Sequence, residues 1–144
     1  MQKTKTEPAE KAPVSRKVKA WEIFSQYIKV RDSVEGWGQC RICGKWVSIY
    51  KSAAGRYNRK EDSPVFLDEK NGHLICMYCL KVTGKVRKRN TLKKFKDSLI
   101  KKFGEAIVKE LEKAPVSTWD SAELLKLTQI YRTKLNELGG YNDK

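Results

Sequence analysis

Four cysteines in two C-x-x-C pairs constrain this chain more than any other feature. Cys40 and Cys43 lie in the stretch CRICGK, Cys76 and Cys79 lie in CMYC, and 32 residues separate the pairs. Two residues between ligands let a tight turn direct both sulfurs at one ion, and zinc prefers four tetrahedral ligands. Gly44 suits such a turn, because glycine tolerates the positive φ that lets backbone N–H groups approach the sulfurs. The spacing therefore predicts one Zn²⁺ ion held by all four cysteines.

The predicted zinc ion is structural. Four sulfurs leave no open coordination position, so we expect the ion to shape the chain and not to act as a Lewis acid. A redox pair is the competing interpretation of C-x-x-C, but two paired motifs without a βαβ pattern favour metal binding. A first knuckle, a short hairpin and a second knuckle leading into a helix follow the order of a treble clef. That topology serves nucleic-acid binders and metal-dependent nucleases alike, so it assigns no function by itself.

The N-terminal part of the chain divides at about residue 20. Residues 1–19 contain almost no large apolar side chain and are predicted to form a disordered basic arm. Residues 20–34 are predicted to form a helix that ends before Gly36. One face of this helix carries side chains at a spacing of three to four: Trp21, Phe24, Ile28 and Arg31. The segments KWVSIY and HLICMYC are the best strand candidates of the irregular stretch that follows.

The C-terminal part of the chain has helical periodicity. An amphipathic helix is predicted after Gly84 from the spacing of Leu92, Phe95, Leu99 and Phe103. A shorter helical pattern follows Gly104, and a last helix is predicted to begin at an Asp120 cap and to stop at Gly139 and Gly140. The stripe of this last helix comprises Leu124, Leu127, Tyr131, Leu135 and Leu138. We therefore expect one α+β domain over residues 20–144, with a zinc centre over 37–84 and a helical part over 85–139.

The charge of the chain points to a polyanionic partner. Lys and Arg number 31 against 17 Asp and Glu, which gives a formal net charge of +14. Between Lys81 and Lys102 ten basic residues accompany one acid, Asp97, whereas a solvated helix usually mixes both signs. Nucleic acid is the expected polyanion. The predicted contact residues are Lys51, Arg56, Arg59, Lys60, Lys81, Lys85, Arg87, Lys88, Arg89, Lys93 and Lys94.

Aromatic residues lie among the basic residues of the zinc centre. Trp46, Tyr50 and Tyr57 can stack on exposed bases or cover the small core, and the core is the preferred interpretation for each. No stretch approaches 18 consecutive apolar residues, and the first residues show no apolar core of a secretory signal, so we expect a cytoplasmic protein without a membrane partner.

The order of these motifs resembles the phage recombination proteins called NinG or Rap. The resemblance runs from WEIFSQYIKVRDSVEGWGQCRICGKW through AGRYNRKEDSPVFLDEKNGHLICMYC to WDSAELLKLTQIYRTKLNEL, about 120 residues in all. It implies a treble-clef centre like that of HNH nucleases, cleavage of branched recombination intermediates such as Holliday junctions, and a bacterial host cell. It also implies a catalytic Mg²⁺ or Mn²⁺ if the chain cuts DNA, and a homodimer is a further expectation.

Two expected catalytic positions depart from the family pattern. Arg56 stands where the resemblance implies a histidine general base, and Leu80 stands where it implies a polar residue. An arginine stays protonated and a leucine offers no metal ligand. Asn71 matches the family's central asparagine, and His73 is the candidate base. The alternative role of His73 is to support the zinc knuckle beside it through a hydrogen bond.

Three functions are consistent with these observations. The first is a zinc-stabilised protein that binds branched DNA and resembles a structure-specific endonuclease. The second is a DNA-binding accessory protein without chemistry. The third is an RNA-binding or protein-interaction module. Three acids between the cysteine pairs are candidate Mg²⁺ ligands in the first case: Asp62, Asp68 and Glu69.

Overall fold

The computed structural model describes residues 6–82 and 88–141, and side chains within 16–81 and 89–141. The chain forms the elements α1 (Thr6–Arg31), β1 (Ser33–Val34), β2 (Trp37–Gln39), β3 (Trp46–Ser48), β4 (Ser52–Arg56), β5 (Gly72–Cys76), α2 (Met77–Val82), α3 (Lys88–Phe103), α4 (Glu105–Glu112) and α5 (Ser121–Glu137). Helices combined with two small antiparallel sheets confirm the α+β class. Among the described residues, no helix is long and apolar enough to span a membrane. The boundaries expected between zinc centre and helical part stay predictions.

The first helix differs from its prediction at both ends. It begins at Thr6, so residues 6–19, expected as part of a disordered arm, are helical, while residues 1–5 lie outside the described chain. Extending an existing helix costs much less free energy than nucleating a new one. The buried segment from Ala20 onward provides the nucleus for this extension. An ion pair between Lys17 and Asp62 ties the added turns to the body of the protein.

The helix ends at Arg31 and not at Val34, because the chain there enters a three-stranded sheet in the order β1-β2-β3. Val34 pairs with Trp37, and the two residues between them, Glu35 and Gly36, both have positive φ (53° and 84°). This is the type I′ geometry that suits the twist of a tight hairpin.

A second hairpin lies at the centre of the molecule. Strands β4 and β5 pair in antiparallel register from Ser52 opposite Cys76 to Arg56 opposite Gly72. All five residues of β5 are buried, because each face of the hairpin has its own cover. On one face Ile75 joins a core with α3 and α4, and on the other face Gly72 packs against Phe24 of α1. The hairpin thus lies between two hydrophobic cores.

Arg31 and Asp32 lock α1 onto this hairpin. The guanidinium donates to both Asp32 oxygens (2.8 and 3.0 Å) and to the Gly72 carbonyl (2.9 Å). The Asp32 carboxylate also accepts from the Leu74 N–H at 3.0 Å. Burial alone would raise the pKa of Asp32, but the Arg31 bonds and the Leu74 N–H outweigh it and hold the pKa below its usual value. The pair therefore joins α1 to β5 through satisfied, charge-assisted bonds.

The C-terminal helices match their predictions except at Leu138, the last residue of the predicted stripe, which is 50% exposed. In α3, Phe95 and Leu99 are buried and Phe103 is partly buried, as the stripe predicts. Asp120 caps α5 by accepting from the Ala122 N–H at 3.4 Å. Gly139 and Gly140 have φ of 101° and 80°, and the Gly140 N–H bonds the Leu135 carbonyl at 2.9 Å, which ends the helix. Helix α5 packs against α1 through Leu124, Tyr131 and Leu135.

Candidate metal centre

The first cysteine pair lies in a knuckle between β2 and β3. The Gly44 N–H bonds the Cys40 carbonyl at 3.0 Å, and the Cys40 N–H bonds the Lys45 carbonyl at 2.8 Å, so the turn closes on itself. The Ile42 N–H points at the Cys40 sulfur at 3.4 Å. Gly44 has φ of 80°, which confirms the positive φ expected after Cys43.

The second pair lies where β5 passes directly into α2. Cys76 is the last residue of the strand and Cys79 lies in the first turn of the helix. The Cys79 N–H points back at the Cys76 sulfur at 3.4 Å. A knuckle, a hairpin and a helix that carries the second pair follow the treble-clef order expected from the sequence.

The four sulfurs meet in one cluster. The Sγ atoms of Cys40, Cys43, Cys76 and Cys79 all lie within 4.8 Å of one another, and those of Cys43 and Cys76 are 3.8 Å apart. Tetrahedral Zn–S bonds of about 2.3 Å place sulfurs about 3.8 Å apart, so the cluster fits a zinc-sized ion. Within the described ranges these cysteines form the one group of three or more histidine, cysteine or acidic residues that can hold a metal.

The thiols of this cluster have pKa values displaced in opposite directions. Burial would raise the pKa of Cys40, but N–H groups that include that of Ile42 outweigh it and lower the pKa. Burial, then its bond with Cys76, raises the pKa of Cys79. Thiolates crowded at this distance repel one another, and a divalent cation removes that repulsion. The arrangement therefore suits metal binding better than a set of free thiols.

His73, the candidate base, lies in the interior. It pairs with Gly55 in the hairpin, is 0% exposed, and its ring centroid lies 6.0 Å from that of Phe95 and 5.9 Å from that of Phe103. Its Nε2 lies 2.7 Å from the Lys70 carbonyl, which can only accept, so Nε2 carries the proton. Nδ1 is buried and has no hydrogen-bond partner in the described part of the chain. Burial lowers the pKa of His73 to about 4.

A neutral buried histidine gives stability a pH dependence. Unfolded His73 takes up a proton near its ordinary pKa of about 6.5, whereas the folded ring does so only near pH 4, so stability falls as the pH falls between these values. We expect the free energy of unfolding to fall by about 1 kcal/mol from His73 alone between about pH 7.5 and about pH 5.5. In His73→Phe this part of the slope should vanish. Urea unfolding of both proteins, saturated with zinc, measures it, and an unchanged slope in the variant contradicts the expectation.

Asn71, the second candidate catalytic residue, braces a loop. Its side chain is 0% exposed, accepts from the Asn58 N–H (2.8 Å) and donates to the Asn58 and Val65 carbonyls (3.0 and 2.9 Å). These bonds join the segment after β4 to the segment before β5. Neither Asn71 nor His73 reaches solvent in this conformation, and their catalytic roles stay predictions.

Arg56 and Leu80, the two departures from the family pattern, line one cavity. The cavity measures about 320 Å³ and also contacts Arg59 and Leu92. The guanidinium of Arg56 lies 4.6 Å from the ring centroid of Trp21 and 5.0 Å from that of Phe66. Burial lowers its pKa, its Nη2 lies 3.9 Å from Glu61, and its Nη1 is buried without a partner among the described residues. The histidine's expected place is thus occupied by a stacked cation.

The three candidate Mg²⁺ ligands are engaged separately. Asp62 pairs with Lys17, and Asp68 accepts from the Lys70 N–H at 2.8 Å. Glu69 accepts from Lys134 at 2.6 Å and from the Tyr27 hydroxyl at 2.9 Å. Asp68 and Glu69 line one cavity, but the three acids together do not form a metal-sized group.

The predicted nucleic-acid contacts lie mostly at the surface. Those with exposed side chains are Lys51, Arg59, Lys60, Lys81, Arg89, Lys93 and Lys94. Arg56 is partly buried in its aromatic stack. Lys85, Arg87 and the side chain of Lys88 lie outside the described residues.

The aromatic side chains divide between core and surface. Tyr57 packs edge-on against Phe95, with ring centroids 5.4 Å apart, and bonds Glu112, so its expected covering role is confirmed. Trp46 is 61% exposed, so its expected place in the core is wrong, and Trp37 is 56% exposed. The sequence does not show how strands β2 and β3 pair, and this pairing decides which face of the sheet each indole ring occupies.

Comparisons with known proteins identify the family. Residues 2–140 match the family model described as the bacteriophage lambda NinG protein. No curated protein and no solved structure gives a match. The family match and the four-cysteine cluster agree with the sequence resemblance, and the chain belongs to the NinG family, whose phage proteins are related to recombination.

Proposed function

We propose that this protein is a zinc-stabilised DNA-binding protein that acts on branched DNA in phage recombination. Family membership supports the recombination setting, and a cluster of four sulfurs with zinc-like spacing supports the metal. The net charge of +14 supports a polyanionic partner. The place of DNA contact follows from the distribution of this charge over the folded surface.

The proposal rests mainly on the exposed basic side chains of α3. Arg89, Lys93 and Lys94 are exposed at its N-terminal end and Lys101 is exposed at its C-terminal end, whereas Lys102 lies on the opposite side of the helix from Lys93. Asp97, the acid of this helix, pairs with Lys93 at 3.0 Å and leaves the other cations without a carboxylate on the same helix. A row of such side chains is suited to phosphate contacts, which position a protein on DNA without reading sequence.

The metal centre holds this helix in place. Phe95 and Leu99, on the opposite face of α3, belong to the same buried cluster as Cys76 and Cys79. An ion that fixes the four cysteines therefore fixes the surface against which α3 packs. We propose that zinc orients the basic face and takes no direct part in DNA binding.

The cavity beside β4 supports DNA holding in preference to cutting. Its stacked Arg56 is a permanent cation that attracts phosphate but cannot accept a proton, and Leu80 cannot bind a metal. His73 is neutral and enclosed by Phe95 and Phe103. We propose that the protein binds junctions and leaves cleavage to another component.

The test compares DNA shapes in binding and in cleavage. Purified zinc-loaded protein is titrated into a four-way junction, a fork, a duplex of equal length and an RNA hairpin at about 150 mM salt. We expect the junction to bind at least about tenfold more tightly than the duplex, a difference of about 1.4 kcal/mol. Strands should stay intact in Mg²⁺ and in Mn²⁺. Equal affinity for the RNA hairpin overturns the DNA assignment, and metal-dependent cleavage shows that chemistry has moved to other residues.

A further inference from the structure

The outer face of the small sheet carries large apolar side chains that no core residue covers. Val34, Trp37 and Trp46 are 73%, 56% and 61% exposed. Val34 lies opposite Trp37 where β1 pairs with β2, and Gln39 lies opposite Trp46 where β2 pairs with β3. Directly opposed residues, and residues two apart on a strand, share a face. The two indole rings therefore lie on one side of the sheet, diagonal to each other.

The other side of this sheet explains why the indoles face solvent. A side-chain carbon added at Gly38 would meet Leu74 at 2.3 Å and the Asp32 carbonyl oxygen at 2.6 Å, so this side is pressed against the protein body. The register leaves Trp37 and Trp46 no place in the core. Two adjacent tryptophans on an exposed sheet face are typical of an interaction surface.

Cations continue this face at the metal knuckle. Gln39, which lies between the indoles in the ladder, also lines a cavity of about 520 Å³ with Arg41, Lys101 and Lys102. No carboxylate in the described chain lies within ion-pair distance of these three cations. The Nε of Arg41 is buried and has no hydrogen-bond partner among those residues. Desolvation and then repulsion from Arg41 lower the pKa of Lys102, so the cations are crowded.

We propose that this face binds unpaired nucleotides of a DNA strand, with bases stacked on Trp37 and Trp46 and the phosphates in the cavity of Arg41, Lys101 and Lys102. The inference rests on the proposed DNA-binding function and adds the single-stranded arm of a fork or an open junction to it. Aromatic rings bind the faces of all four bases, and a cationic groove beside them follows the backbone, which is how sequence-tolerant single-strand binding is achieved. The crowded positive charge favours this occupant over an apolar protein surface or a second copy of the chain.

The test uses paired substitutions of the two exposed indoles. Trp37→Leu with Trp46→Leu keeps apolar surface but removes the aromatic faces, whereas Trp37→Phe with Trp46→Phe keeps smaller aromatic faces. Leu125→Ala, an exposed apolar residue of α5, is the control for surface truncation. The probes are labelled oligothymidylate, a fork with unpaired arms and a fully paired duplex, measured by fluorescence anisotropy. Zinc content and the melting temperature confirm that each variant is folded.

We expect the leucine pair to lower affinity for oligothymidylate and for the fork by about ten- to a hundredfold, with duplex affinity changed by less than about twofold. The phenylalanine pair and the control should keep most of the binding. Oligothymidylate should quench the tryptophan fluorescence of the wild-type protein, and this quenching should disappear in the phenylalanine pair, which retains Trp21 and Trp119.

Several results overturn the inference. The first is unchanged affinity of the leucine pair for oligothymidylate. The second is an equal loss of affinity for all three probes. The third is a wild-type protein that forms a concentration-dependent dimer, when this dimer dissociates in the leucine pair. A wild-type protein that binds the junction and the duplex but not oligothymidylate refutes this site alone. A wild-type protein that binds no DNA refutes the proposed function as well.

Discussion

Replacing Cys76 by serine is expected to abolish zinc binding and to unfold the centre of the protein. Cys76 ends β5, is 4% exposed and shares a buried cluster with Phe95 and Leu99 of α3. Structural zinc supplies about 10 to 16 kcal/mol of apparent free energy in small zinc domains, as much as or more than the 5 to 15 kcal/mol stability of a typical protein. The hairpin and α3 should therefore lose their tertiary structure without the ion.

The loss of tertiary structure in Cys76→Ser should be confined to the metal centre, α3 and α4. The second core, formed by α1 and α5 around Phe24 and Leu124, contains none of the cysteines. Hydrogen exchange measured by mass spectrometry should show lost protection in the segments of the metal centre, α3 and α4, with part of the protection in α1 and α5 retained. Metal analysis should find no stoichiometric zinc in the variant, and a strong chelator should give the wild-type protein the same exchange pattern.

The control lies in the same turn of the chain. Met77→Ala removes a neighbouring sulfur that is 42% exposed, and it should keep one zinc per chain. A Cys76→Ser protein that retains stoichiometric zinc and the wild-type melting temperature contradicts the assignment of this cysteine as a ligand.

Neutralising the exposed N-terminal end of α3 is expected to weaken DNA binding on the order of a hundredfold at moderate salt. The variant carries Arg89→Gln, Lys93→Gln and Lys94→Gln, and all three side chains are exposed. Each lost phosphate contact lowers the slope of log affinity against log salt by about 0.9, so the slope should fall by nearly three. Fluorescence anisotropy on a junction across a salt series measures the affinity and the slope together.

A charge-matched variant separates the position of the cations from their number. Lys109→Gln, Lys113→Gln and Lys126→Gln remove the same charge from exposed positions on and after α4 and on α5. This control should lose only a small part of the affinity and keep most of the salt slope. Similar losses in both variants would mean that net charge, and not the α3 face, attracts the DNA. The lost Lys93–Asp97 pair is exposed, so the stability change should be under about 1 kcal/mol.

The parts of the fold that depend on local chemistry were predicted from the sequence. Two residues between paired cysteines are enough to close a knuckle, and the positive φ of Gly44 follows from the same turn. The Asp120 cap and the Gly139–Gly140 stop of α5 are likewise set by residues within one turn of each helix end. The predicted apolar stripe of α3 was confirmed, because a helical period of 3.6 residues places Phe95 and Leu99 on one face in any context.

The candidate site was predicted in part. The predicted cysteine cluster was confirmed. The burial of His73 was not predicted, because it depends on Phe95 and Phe103, which are distant in sequence. The stacking of Arg56 depends in the same way on Trp21 and Phe66. No sequence pattern shows that these segments meet, because each contact depends on how α1, the hairpin and α3 pack together.

By itself, the sequence determined the order and type of most elements and the excess of positive charge, because these follow from residues close together in the chain. It also indicated the cysteine cluster, because a tetrahedral zinc ion needs both cysteine pairs. The tertiary structure alone decided that His73 and Asn71 are enclosed, that α1 extends back to Thr6, and that Trp37 and Trp46 face solvent. The physical reason is that exposure depends on which segments cover a side chain. That cover comes from strand register and helix packing across the whole fold, which the local pattern of residues does not encode.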